Sequence, residues 1–340
     1  MIKDNLKTGV LLINLGTPDK PEEQDVKIYL KEFLSDPRVI DIPPLPGYLL
    51  VNYVIIPKRY KNTTRTYKKI WTENGSPLMF YTLKSAELLQ SELGEKFIVD
   101  VAMRYRLPSI ESALEKFRNK NISKLIILPL FPQYASATVG SVHQKVMEII
   151  SGWQVIPEIK FISQFHDHSL YIKACAEVSS QFSLNDSDHV VFSYHGLPER
   201  QIKKADRSGI CLTDKCCDNL NVKNFYCYRA QCFNTSRLIA DQLNINSENY
   251  TVCFQSRLGK EPWIKPYADE TIIDLAAKGK KKLLVFSPSF VADCLETIYE
   301  IGVEYDELFK KHGGEKVTLV PGLNDHLQWI EALKDLVLKN

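Results

Sequence analysis

The chain contains no apolar run of about 18 residues, so no membrane-spanning helix is expected. Neither sign of charge is in excess: 43 lysines and arginines stand against 41 aspartates and glutamates, a net charge of +2. With no nucleic-acid-binding signature either, nothing points to a DNA or RNA partner. The G-x-G-x-x-G fingerprint and the Walker A sequence are missing. Their absence counts against a nucleotide ligand, although the apolar run GVLLIN at 9–14 ends in a glycine turn as a nucleotide-binding strand would. The opening MIKDNLKTGVLLINLG has too short an apolar run for a signal peptide and no small-residue cleavage site. A cytoplasmic location is the default expectation. No repeat is visible in the residues themselves.

What is present is an ordinary globular composition, 44% hydrophobic and 25% charged, in 340 residues. That length suits two domains of roughly 150 residues. Short continuous apolar runs alternate with helical patterns, the mark of parallel strands covered on both faces. Strands are expected at 9–14, 97–103, 124–130 and 158–163, then at 189–194, 250–255, 283–286 and 317–320. The fold class is therefore α/β: two Rossmann-like, doubly wound domains, 1–165 and 166–314, with a cleft between them. The stretch LPGYLLVNYVIIP at 45–57 is expected to be a buried helix or strand. The alternative is an apolar lip beside a greasy substrate or the membrane surface, which allows a peripheral contact with the inner membrane. Basic residues follow at Lys58, Arg59, Lys61, Arg65, Lys68 and Lys69. They suit a solvated face as well as the acidic groups of a ligand.

The stretch at 281–311 opens as a buried strand, turns at Ser287-Pro288-Ser289 and becomes a helix. At about 100° per residue, Asp293, Glu296, Glu300, Glu304 and Glu307 fall within a sector of roughly 80°. Cys294, Ile298, Ile301, Tyr305, Leu308 and Phe309 fall on the other side. An acidic, solvated face explains this. Yet carboxylates four apart repel by a few tenths of a kcal/mol, and solvated faces usually interleave lysine. An uninterrupted ladder suits a path for cations or protons, and it starts just past a strand end, where open α/β sheets place ligands.

His195 ends the strand HVVFSY and precedes Gly196-Leu197-Pro198. It reads as a hydrogen-bonding loop residue or as a metal ligand or proton acceptor, since imidazole does either near neutral pH. If its strand shares a sheet with 283–286, His195 and Glu296 meet. Eight cysteines are present, five of them within 211–232: Cys211, Cys216, Cys217, Cys227 and Cys232. Such crowding points to metal or redox chemistry more than to disulfides. The spacing C-x4-C-C-x9-C-x4-C departs from the C-x2-C of zinc knuckles. Reduced thiols in a loop remain the plain alternative.

Five stretches resemble the ferrochelatase family in its own order: LLINLGTP at 11–18, PLFPQYASATVGS at 129–141, FSYHGLPER at 192–200, FQSRLGKEPW at 254–263 and SPSFVADCLETIYEI at 287–301. They are distributed over nearly the whole chain. The resemblance implies insertion of ferrous iron into a porphyrin held in the interdomain cleft. It also implies a C-terminal segment, 315–340, packing back on the first domain. His195 matches the histidine that faces the porphyrin centre, and Glu296 its carboxylate partner, in metal binding or pyrrole deprotonation. Asp293, Glu300 and Glu304 match an acidic path for metal or protons. Leu15, Arg104, Tyr105, Ser193 and Trp263 match the porphyrin pocket. Cys294 stands where some members carry a second histidine. Leu15 stands where coproporphyrin-type enzymes resemble one another in carrying tyrosine, so protoporphyrin IX is the expected substrate.

Some ferrochelatases bind a [2Fe-2S] cluster, which takes four thiolates. Certain bacterial members resemble this chain in having cysteines in an internal insertion, here 205–232. Five cysteines compete for four places, and one like Cys232 also occurs in members without a cluster. The expected function is protoporphyrin ferrochelatase, the terminal step of haem biosynthesis. The alternatives are a coproporphyrin ferrochelatase, a cobalt or nickel chelatase of the same fold, and a non-catalytic haem- or iron-sulfur-binding sensor.

Overall fold

The structure, a computed structural model, describes residues 6–213, 215–259 and 261–340. The opening residues 1–5 of the expected first domain, Asp214 of the insertion and Lys260 of the FQSRLGKEPW stretch lie outside the described residues. The chain divides into two compact units, the first Met1–Phe131, Ala135–Gln164 and Ile330–Asn340, the second Pro132–Tyr134 and Phe165–Trp329.

In the first unit, β1 (Lys7–Gly16), β2 (Phe97–Tyr105), β3 (Ile122–Pro129) and β4 (Glu158–Phe161) form a parallel sheet in the order β2-β1-β3-β4. Val10, Leu11, Leu12 and Ile13 are all fully buried, because helices cover both faces of this central strand. A strand with no solvent face favours apolar side chains at successive positions, which explains the unbroken apolar run. On one face Leu11, Ile13, Leu125 and Ile127 pack with Phe117, Val142 and Val146. The C-terminal residues belong to this unit, with Lys334 paired to Glu92 at 2.9 Å.

The second unit repeats the plan. The strands β5 (His189–His195), β6 (Tyr250–Gln255), β7 (Lys282–Phe286) and β8 (Lys316–Leu319) are parallel, in the order β6-β5-β7-β8. Val191, Cys253, Leu283 and Val285 pack against Ile272, Ile301 and Phe309. In both sheets the second strand in sequence lies on one side of the first and the third strand on the other. The order therefore reverses at the C-terminal ends of β1 and β5, the switch points where open α/β sheets bind ligands. Leu15 is near one such end and His195 occupies the other.

Two readings need correction. The stretch at 45–57 is helical, but it is not buried: Leu45 is 70% exposed and Tyr53 69%, with Tyr48 and Leu49 about half exposed. Its middle, Leu50–Ile55, and the helix Glu296–Tyr305 are π-helices. In these each carbonyl accepts from the N–H five residues on, and such segments are rare and frequent at functional sites.

Candidate functional site

His195 is the last residue of β5, beside Gln255 at the end of β6. Gly196 follows because nothing larger fits: a Cβ there would lie 2.8 Å from the Gln255 carbonyl oxygen and 3.0 Å from Trp263. The Gly196 N–H donates to that carbonyl at 2.8 Å. The His195 Nδ1 lies 2.6 Å from the Gly196 carbonyl oxygen, which accepts only, so Nδ1 carries the proton. In the neutral ring Nε2 is then the free acceptor. The Tyr228 hydroxyl donates to the His195 carbonyl at 2.8 Å. The imidazole stands 6.4 Å from the Trp263 ring and 6.5 Å from Phe290, so its surroundings are apolar and flat. Trp263 is held by a strap, with Ile264 N–H donating to Leu197 O and Glu199 N–H to Pro262 O, both at 2.9 Å.

Gln255 joins this histidine to the acidic helix. Its side chain is 1% exposed. Its Oε1 accepts from the Ser193 hydroxyl at 2.7 Å, while Nε2 donates to the Glu296 carbonyl at 3.0 Å and to the Glu300 carboxylate at 3.1 Å. Ser193 is thus buried under the strand end, bonded to Gln255. Glu300 also accepts from the backbone N–H and the hydroxyl of Ser256, at 2.9 and 2.6 Å, and from the Tyr305 hydroxyl at 3.1 Å. Ser256 adopts φ +64° to make both contacts, a conformation that serine rarely takes. The carboxylates of the expected ladder therefore differ. Asp293 is 9% exposed and accepts from Thr297, the Gly322 N–H and Asn324, at 3.0, 3.0 and 2.8 Å. It fastens the helix start to the loop after β8. Glu300 is fully engaged, Glu296 is half-buried, and Glu304 is exposed. Cys294 is buried beside Glu296, and burial together with that carboxylate pushes its thiol pKa up.

The π-helix also changes the stripe. Its wider turn keeps residues four apart on one face and adds to them residues five apart. The Glu300–Tyr305 bond is such a pair.

In the first unit Arg104 and Tyr105 end β2 and share one acceptor that sequence reasoning missed, Asp36. Its Oδ2 takes Arg104 Nη2 at 2.6 Å and the Tyr105 hydroxyl at 2.9 Å, and Ser141 donates to it as well. The Arg38 N–H donates to Oδ1 at 2.7 Å. Burial and then the Asp36 carboxylate push the Tyr105 hydroxyl well above its ordinary pKa. Leu15 is half-buried beside Gly16, where φ is +118° and a Cβ would overlap the Tyr105 carbonyl.

A family model for ferrochelatase matches residues 7–340. The chain belongs to the ferrochelatase family. Ferrochelatase of Legionella pneumophila strain Lens is 46% identical over 332 residues, covering 98% of this chain and 99% of that one. Ferrochelatase of Coxiella burnetii strain Dugway 5J108-111 is 44% identical over 342 residues, covering 100% of this chain and 95% of that one. Among solved structures, SirB from Bacillus subtilis with Fe3+ superposes with a TM-score of 0.55 at 12% identity, over 98% of this chain and 95% of that one. At that identity the likeness concerns the α/β fold alone. Membership makes the chain an enzyme of haem biosynthesis, a metal-inserting lyase with ferrous iron and a porphyrin as substrates.

The cysteine-rich segment 205–232 of this ferrochelatase-family chain gathers several of its thiols into a cluster. The sulfurs of Cys211, Cys216 and Cys227 lie within 4.8 Å of one another. Cys217 adjoins both Cys216 and Cys227. Asp206 shapes the loop by accepting from the N–H groups of Ser208, Gly209 and Cys211. Buried Asn224 clamps it by donating to the carbonyls of Cys216 and Asn219. Burial raises the thiol of Cys211 to about 12. Cys232 is fully buried one turn into the helix Tyr228–Gln242, beside Tyr228 and within electrostatic reach of Cys217. Among the described residues no helix is long and apolar enough to cross a membrane.

Proposed function

We propose that this enzyme inserts ferrous iron into protoporphyrin IX, with His195 and Glu296 as the central pair. The observation that carries this is the bridge through Gln255, which ties the Glu296 backbone to the strand end that presents His195. Porphyrin metallation releases two pyrrole protons as the iron enters. The free Nε2 of His195 accepts one, and the Glu296 carboxylate attracts the cation or takes the second. The rings of Trp263 and Phe290 provide the apolar walls that a flat macrocycle requires. Exposed Glu304 extends the route for metal or protons toward solvent, while Asp293 and Glu300 hold the helix that carries it. Leu15 in place of a tyrosine supports protoporphyrin over coproporphyrin.

The test is anaerobic incubation with ferrous iron and either porphyrin, following the porphyrin-to-haem spectral change. Insertion into protoporphyrin, lost by at least a hundredfold in His195→Ala and Glu296→Gln, is the expected result. Insertion into coproporphyrin alone would refute the substrate assignment, and full activity in either variant would refute the site.

The thiol geometry supports a [2Fe-2S] cluster held by Cys211, Cys216, Cys217 and Cys227. The cluster would supply a one-electron redox centre. The sulfurs of Cys211, Cys216 and Cys227 converge and Cys217 adjoins Cys216 and Cys227, which suits a four-thiolate ligand set. Reconstitution with iron and sulfide should give two of each per chain in the wild type and in Cys232→Ser, and neither in Cys217→Ser. The exposed row Leu45, Tyr48, Leu49 and Tyr53, followed by exposed Lys58, Arg59 and Lys61, supports a peripheral contact of a cytoplasmic protein with an anionic membrane. Flotation with anionic but not neutral vesicles is the corresponding check.

A further inference from the structure

Cys217 differs from the other thiols of the insertion in having a cation bonded to its sulfur. Arg229 Nη1 donates to Cys217 Sγ at 2.9 Å. The same guanidinium donates through Nε to the Lys265 carbonyl at 2.9 Å, and its plane lies 4.6 Å from the Phe233 ring centre. Arg229 sits in the first turn of the helix Tyr228–Gln242, two residues after Cys227. Its position is therefore fixed by the helix, by an aromatic face and by a backbone carbonyl, and its hydrogen bond is given to the Cys217 sulfur. A second arginine, Arg237, donates to the Cys217 backbone carbonyl at 2.8 Å from two turns further along the same helix. Cys227 and burial push the Cys217 thiol pKa up, and the Arg229 charge acts against them.

We propose that Arg229 is a positioning residue that sets the reduction potential of the cluster, by donating a charge-assisted hydrogen bond to the Cys217 ligand. This rests on the assignment of the cluster to Cys211, Cys216, Cys217 and Cys227. One electron from an external one-electron donor adds one negative charge to the cluster, and no bond to the ligands need break. A cation held against a ligand sulfur stabilises the more negative, reduced form. Hydrogen bonds to the sulfurs and local charge are established controls on such potentials. Arginine suits the task because it stays protonated and its fork serves two acceptors at once, here a sulfur and a carbonyl.

The experiment is a redox titration of the anaerobically reconstituted full-length protein with dithionite and mediators, read by the visible absorption of the cluster. It needs neither iron insertion nor porphyrin. Arg229→Gln removes the charge and Arg229→Lys keeps it. The expected result is a reduced-to-oxidised ratio about tenfold lower at fixed potential in Arg229→Gln, equivalent to about 59 mV for one electron, with Arg229→Lys shifted less. An unchanged potential in Arg229→Gln, with a normal wild-type chromophore, would overturn the role of the arginine and leave the ligand assignment standing. A wild type that acquires no iron, sulfide or visible chromophore would overturn the cluster and this proposal together. Failure of both variants to retain a cluster that the wild type holds would also overturn it, since Arg229 would then serve assembly and not potential.

Discussion

Gln255 is isosteric with glutamate, so Gln255→Glu changes the chemistry of the bridge without changing its shape. The amide nitrogen now donates to the Glu296 carbonyl and to Glu300 Oε2, the latter at 3.1 Å. A carboxylate there turns a donor into an acceptor facing two acceptors. Two unit charges 3.1 Å apart repel by about 5 kcal/mol at an effective dielectric constant of about 20. The lost donor bond to the Glu296 carbonyl adds about 1 kcal/mol. The folded protein can escape part of this by taking up a proton, so the introduced carboxyl has a raised folded pKa. A carboxyl raised in the folded state contributes its stability at low pH and loses it as pH rises. Urea unfolding should therefore find the variant about 4 kcal/mol less stable than wild type at pH 8, with most of that difference gone at pH 5. Gln255→Leu lacks the repulsion and should lose about 2–4 kcal/mol at both pH values, from three unmade bonds. A loss in Gln255→Glu below about 1 kcal/mol at pH 8, or one equal at both pH values, would refute the bridge.

Other consequences follow from single contacts. Asp36→Asn leaves Arg104 without its countercharge and should cost about 3 kcal/mol in urea unfolding, a partly buried ion pair being broken on one side. Gly16→Ala should cost at least as much, or abolish soluble expression, because Gly16 has φ +118° and its Cβ would overlap the Tyr105 carbonyl. His189 is buried against Thr251, and burial, then Lys280 and Lys278, lowers its pKa from 6.5 to about 4. The unfolded chain takes up this proton below pH 6.5 and the folded protein only below about 4, so stability should fall by about 2–3 kcal/mol as pH drops across that window. His189→Gln should flatten the slope, and an unchanged slope would remove His189 as its source.

The strands were legible for one physical reason. A parallel strand covered by helices on both faces favours apolar side chains at successive positions, so Val10–Ile13 in β1, Leu125–Leu128 in β3 and Leu283–Phe286 in β7 stand out as unbroken apolar runs with 0–3% exposure. Helices were harder. Pro77–Leu93 escaped notice because its periodicity is blurred: Leu78, Ala86 and Leu89 are buried, while Leu83 is 48% exposed. The stretch at 45–57 was misjudged by the same logic that found the strands. An apolar run implies burial only where something covers it, and Leu45 and Tyr53 are largely bare.

His195 and Glu296 were legible by place as much as by type, since each follows a strand that reads clearly. The residues that fix their positions were not. Gln255 carries no motif, and its only sequence signal is a polar residue closing the apolar run TVCF at the end of β6. Its meaning depends on β6 lying beside β5, so that Gln255 aligns with His195. Asp36 likewise gathers Arg104, Tyr105 and Ser141 from 68, 69 and 105 residues away, a distance over which no local pattern operates. Nor does the sequence show that the backbone hydrogen-bond register of Glu296–Tyr305 is five, which brings Glu300 and Tyr305 together as well. Tertiary bonds brace this helix: Asp293 is anchored to Asn324 just before its start, and Glu300 is bonded to Gln255 and Ser256 in its middle. The acidic ladder thus contains an anchor in Asp293 and a brace in Glu300, beside half-buried Glu296 and exposed Glu304 and Glu307.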